Sequence, residues 1–124
     1  MKERLYGLPE QKRIHRQHEY RQIFKDGRRI RYPEFVIIYR PNGLAYSRIG
    51  ISVGRKFGKA VSRNRAKRLC RELFRLNQHN LPAGIDFVFL PRKRLLSTDW
   101  KRLLQRIAAA GKHIERDSIK KAYR

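Results

Sequence analysis

At 124 residues and 40% hydrophobic content, the chain has matter for one modest core and too little length for two ordinary domains. Its 32 Lys and Arg against 10 Asp and Glu leave a formal charge of +22, which calls for a polyanionic partner. The charge is spread along the chain rather than gathered into one anchor, so nucleic acid is favoured over an acidic membrane surface.

Cys70 is the only cysteine, which rules out an internal disulfide. No apolar run approaches the roughly 18 residues of a membrane span, and "MKERLYGLPEQKRIHRQ" lacks a signal-peptide hydrophobic region. The expectation is a soluble cytoplasmic protein with no membrane partner. It forms one RNA-binding domain over residues 1–124, with a basic N-terminal arm at 1–12 and a basic C-terminal tail at 112–124.

In chain order, "RQHEYRQIFK" (16–25) places Tyr20, Ile23 and Phe24 on one helical face, with Gly27 as a stop. "EFVIIYR" (34–40), the turn signal "PNG" (41–43) and the alternating "YSRIGISV" (46–53) read as a hairpin. A helix then begins between Gly58 and Ser62 and runs to about Asn77. "LPAG" (81–84) turns the chain into a buried strand, "IDFVFL" (85–90). Ser97 or Thr98 caps a last helix that puts Trp100, Leu103, Leu104 and Ile107 on one side and ends at Gly111. The order is α, β, β, α, β, α.

The helix after "SVGRKFGKA" is the informative one. Between Gly54 and Asn77 stand nine Lys or Arg, opposed only by Glu72. At about 100° per residue, Ala66, Leu69, Cys70, Leu73, Phe74 and Leu76 gather in one half of the cylinder. Arg63, Asn64, Lys67, Arg68, Arg71 and Arg75 occupy the other, with Arg65 and Glu72 near the border. Solvated faces normally mix signs so that i,i+4 pairs support the helix, whereas here Arg63, Lys67, Arg71 and Arg75 repeat one sign. A missing anion is the simpler account. Arginine can fork onto phosphate and stack on bases. Asn64 suits a base edge or a 2′-hydroxyl, or equally a cap. Gly54 and Gly58 let backbone N–H groups approach phosphate near the helix start, but the spacing is not that of a Walker loop.

"RIGISVGRKFGKAVSRNRAKRLCRELFR" resembles the signature of the protein subunit of bacterial ribonuclease P, and the resemblance extends to "EYRQIFKDGRR", "FVIIY" and "LPAGIDFVFLPR". It implies an α+β fold, a four-stranded mixed sheet with three helices similar to the second domain of ribosomal protein S5. It also implies a left-handed β-α-β crossover around the "RNR" helix, against the usual right-handed rule. The implied activity is removal of the 5′ leader from precursor tRNA, in complex with a large catalytic RNA.

The resemblance assigns Arg55, Lys56, Arg63, Asn64, Arg65, Lys67, Arg68 and Arg71 to docking on that RNA. It assigns Tyr20, Phe24, Val36, Ile38 and Ser52 to a cleft for the single-stranded leader. Some relatives carry Tyr where this chain has Ile38, and the adjacent Tyr39 should point to the opposite face of its strand. By spacing alone, Tyr20 and Phe24 read as core packing.

The ten acids are scattered with no D-x-D arrangement, and the His and Cys residues have no zinc spacing. Cys70 lies on the apolar half and reads as a core residue. No catalytic residue, bound cofactor or metal site is therefore expected in this chain, and the resemblance implies that catalysis falls to the RNA subunit with Mg²⁺. The rival expectation is a structural ribosomal RNA-binding protein of similar fold.

Overall fold

Phe35 to Tyr39 is an unbroken apolar run, and all five residues are buried because both faces of their sheet are covered. The structure, a computed structural model, describes residues 9–122, with side chains described through Asp117. Residues 1–8 of the expected arm, and 123–124 of the expected tail, lie outside the described residues.

The elements are α1 (Gln17–Asp26), β1 (Arg28–Arg31), β2 (Phe35–Pro41), β3 (Arg48–Ile51), α2 (Ala60–Leu76), β4 (Ile85–Pro91) and α3 (Trp100–Ala122). Single 3-10 turns occupy 10–12, 55–57, 78–80 and 93–97.

The sheet order is β1-β2-β4-β3, antiparallel except for the parallel β3/β4 pair. Four strands and three helices stand as the resemblance implies. The expected β2–β3 hairpin is wrong, because β4 lies between those strands. The "PNG" turn forms, with Asn42 Oδ1 accepting the Leu44 N–H at 2.7 Å, but it feeds a crossing loop rather than a hairpin. The real hairpin is β1–β2. Alternation does not mark β1, because "RRIR" offers only Ile30 as an apolar residue, the pattern of a charge-protected edge strand.

Alternation in β2 and β4 sends side chains to two separate cores. Phe35, Ile37, Tyr39, Phe87 and Phe89 face α2 and α3, packing with Ala66, Cys70, Leu73, Phe74, Leu103 and Ile107. Val36, Ile38 and Val88 face α1, under Ile14 and Ile23. Tyr39 does take the opposite face from Ile38. Burial of each large apolar side chain contributes about 1.5–3 kcal/mol, so α2 and α1 are clamped to opposite sides of one sheet.

Two glycines work by close approach. A Cβ on Gly50 would stand 2.6–2.7 Å from the Tyr20 ring and hydroxyl, so β3 needs glycine where α1 lays its tyrosine flat. Gly111 was expected to stop the last helix, yet α3 continues to Ala122, replacing the expected tail over 112–122 by helix. A Cβ there would meet the Asn80 carbonyl oxygen at 2.4 Å, so Gly111 lets α3 press against the 78–80 turn.

The cap of α3 is Asp99, whose Oδ1 accepts the Arg102 N–H at 2.8 Å. The expected caps Ser97 and Thr98 instead donate to the Arg94 carbonyl. Leu103 and Ile107 are buried as expected, but Trp100 is 36% exposed and stands outside both cores.

Candidate nucleic-acid interface

Helix α2 buries Ala66, Cys70, Leu73 and Phe74, spaced four, three and one residues apart as one helical face requires. Asn77 donates from Nδ2 to the Leu73 carbonyl at 2.8 Å and closes the helix end. Full burial pushes the Cys70 thiol well above its ordinary range, which leaves it an unreactive core group. Leu76, placed on the apolar half by periodicity, is 43% exposed because it stands at the edge of that arc, whereas Asn77 beside it is buried.

With that face fixed, Asn64, Arg65, Arg68 and Arg71 stand exposed along the outer side. Arg55 and Lys56 are exposed on the turn that Phe57 anchors into the core, and Lys59 is exposed at the α2 N-terminus. That terminus has no side-chain cap and no acid in its first turn. Its free N–H groups and dipole add to the local positive potential.

Arg63 departs from the expected outer line. It is half-buried and donates from Nη1 to the Gly58 carbonyl at 2.6 Å, bracing the loop that carries Arg55 and Lys56. Lys67 is half-buried beside it. Arg75 is neutralised by Glu72 through two bonds of 2.9 and 2.7 Å, and the arginine holds that carboxyl below its usual range.

Among the described residues, no carboxylate lies within ion-pair distance of Arg55, Lys56, Arg63, Arg65, Lys67, Arg68 or Arg71. The acids are engaged elsewhere. Arg48 takes Asp86 in a fork of 2.9 and 2.7 Å and reaches Glu19 at 3.0 Å. Arg40 meets Asp26, Arg106 meets Glu34, and Arg28 meets Asp117. Glu19 and Asp86 converge on Arg48 and the other carboxylates stand apart, a donor set that does not fit a divalent-metal site; no group of three or more potential ligands occurs among the described residues.

The second expected surface lies on the α1 side of the sheet. Pairing aligns Arg31, Val36 and Leu90 in one row across β1, β2 and β4, and the Ser52 N–H continues it by donating to the Phe89 carbonyl at 2.9 Å. The next row, Arg29, Ile38, Val88 and Gly50, is roofed by α1. Ile38 has no exposed surface and Val36 is 6% exposed, so Ile38 forms the floor beneath this surface rather than its lining.

Tyr20 and Phe24 are half-buried at its border, as is Ser52. The Tyr20 hydroxyl donates to the Ile14 carbonyl at 3.1 Å and accepts the Ile51 N–H at 3.2 Å, tying α1 to the edge of β3. Burial raises its pKa, while the Ile51 N–H and the nearby Arg71 charge work against that rise. The Arg29 guanidinium lies 5.9 Å over the Phe24 ring. Leu90, half-buried in this row, was missed because its proximity to Val36 depends on β4 entering between β2 and β3.

The sequence model of the Ribonuclease P family matches residues 8–115. A ribonuclease P protein component from Thermotoga maritima is 51% identical over 81 residues, 65% of this chain and 68% of its own length. One from Photorhabdus laumondii is 41% identical over 100 residues, 80% of this chain and 83% of its own. The solved ribonuclease P protein of Thermotoga maritima superposes with a TM-score of 0.74 at 38% identity, covering 82% of this chain and 96% of that one. A Staphylococcus aureus ribonuclease P protein mutant with defective mRNA degradation activity gives 0.70 at 26% identity, covering 93% and 92%. A sheet clothed on both faces, a helix with bare arginines along its outer side, and a match running through nearly all of both together place this chain in the ribonuclease P protein family, as a protein component of that ribonucleoprotein enzyme.

Proposed function

We propose that the chain binds the catalytic RNA of ribonuclease P through α2 and the preceding loop, and holds the single-stranded 5′ leader of precursor tRNA in the cleft between α1 and the sheet. The observation that carries the first part is the line of exposed cations on α2 left without carboxylate partners. Neutralising phosphates there lets two RNAs approach with less repulsion, and the released counterions drive binding. Arg55, Lys56, Arg65, Arg68 and Arg71 supply outward charge, Asn64 a hydrogen-bonding edge, Arg63 a brace for the loop, and Lys67 a further cation on the flank. Leader binding uses the half-buried rings of Tyr20 and Phe24 with Ser52 and Leu90, a stack-and-groove mode open to any base sequence.

Bond cleavage belongs to the RNA subunit with its Mg²⁺, since no three carboxylate, His or Cys side chains gather to hold a metal ion among the described residues of this chain. The setting is the cytoplasm. No described helix is long and apolar enough to cross a membrane.

Reconstitution tests the reading. The chain mixed with a bacterial catalytic RNA should process precursor tRNA at lower Mg²⁺ than the RNA alone, and the protein alone should cut nothing. Phe24→Ala should narrow the affinity gap between precursor and mature tRNA by about fivefold or more, the loss of one stacked base. An unchanged gap in a folded variant rejects the cleft assignment.

A further inference from the structure

The single tryptophan stands partly in solvent. Trp100 opens α3 directly after β4 and the 93–97 turn and keeps 36% of its surface exposed. A residue carrying this much apolar surface is normally buried unless something covers it. The segment that carries it, residues 92–102, is cationic. Arg92, Lys93, Arg94, Lys101 and Arg102 are all exposed, and no carboxylate among the described residues pairs with any of them. The one acid in the segment, Asp99, is committed to the Arg102 N–H, while Ser97 and Thr98 hold the turn by donating to the Arg94 carbonyl. The ring and the charges are therefore presented on a fixed frame.

We propose that Trp100 is a base-stacking platform for single-stranded RNA, with the flanking cations taking the phosphates on either side of the stacked base. The proposal rests on the RNA-binding reading above and extends it to a surface outside α2 and the α1 cleft. Charge selects the occupant: an exposed aromatic ring in a segment of unpaired cations suits a polyanion whose units each carry a flat π-face. The RNA comes either from the precursor's unpaired leader or from an unpaired segment of the catalytic RNA, and both present the same chemistry.

Because this is the only tryptophan, its emission reports the site directly in the full chain. Oligo(A) should quench it on binding, and an abasic oligomer of equal charge should not. Labelled-oligo(A) anisotropy should show Trp100→Ala weakening binding about fivefold or more, with Trp100→Phe close to wild type. Trp100→Ala should leave the salt slope unchanged, whereas Arg102→Ala should lower it by about one.

In the assembled holoenzyme, quenching by the catalytic RNA alone assigns the platform to that RNA. Quenching only after precursor is added assigns it to the leader. Both results support the proposal. Oligo(A) that binds without changing emission, equal quenching by the abasic oligomer, or equal affinities of wild type and Trp100→Ala overturn it and leave the RNA-binding reading intact. Quenching by polyglutamate but not by RNA also overturns it, in favour of a protein partner. Failure of oligo(A) to bind even at low salt overturns both.

Discussion

The two ends of the sheet handle charge in opposite ways. Where β1, β3 and β4 begin, arginines are closed onto acids: Arg48 onto Asp86 and Glu19, Arg40 onto Asp26, Arg28 onto Asp117. Where β3 and β4 finish, Arg55, Lys56, Lys59, Arg92, Lys93, Arg94, Lys101 and Arg102 stand exposed, and the two acids nearby are already occupied. Scarce carboxylate is thus spent on the structural end, and the other end is left electropositive. The difference teaches that a net charge says little about a surface until the pairing of each charge is known.

The largest effect should come from breaking the structural end. Asp86 is 5% exposed and accepts the Arg48 fork and the Asn42 amide, so Asp86→Ala should lower unfolding stability by about 3–5 kcal/mol in a urea titration. The folded fraction should still bind RNA with the wild-type salt slope. Gly50→Ala follows, at about 1–3 kcal/mol, because the new methyl must displace the Tyr20 ring.

A smaller effect concerns pH. Burial, and then the hydrogen bond to Asp117, push the Tyr39 phenol from 10.0 to about 12. The folded state favours the protonated form, so this contribution is complete below the unfolded value and fades as pH climbs through the folded one. Tyr39→Phe should therefore show a shallower loss of Tm between those two values, and an identical alkaline profile would disprove the contact.

Much of this was legible in the residues. The α2 periodicity placed the helix within a residue or two of Ala60–Leu76, and the apolar runs of β2 and β4 announced strands, the second of them buried. What escaped was information held between elements. Nothing in "PNG" says that another strand will enter beside it, so β2 and β3 looked like partners. Gly111 looked like a stop because its backbone neighbour at Asn80 is 31 positions away in sequence. Arg63 looked outward because a helical wheel has no loop for its guanidinium to reach. Ile38 looked like lining because the resemblance assigns a position without showing that α1 roofs it in this chain.

The central claim is that the outward arginines of α2 meet phosphate while the arginines of the paired end do not. Its most direct test is the salt dependence of catalytic-RNA binding for Arg65→Ala, Arg68→Ala and Arg40→Ala beside wild type. The account predicts slopes reduced by about one for each of the first two and unchanged for the third. Wild-type slopes in both α2 variants, or an equal reduction in Arg40→Ala, would contradict it.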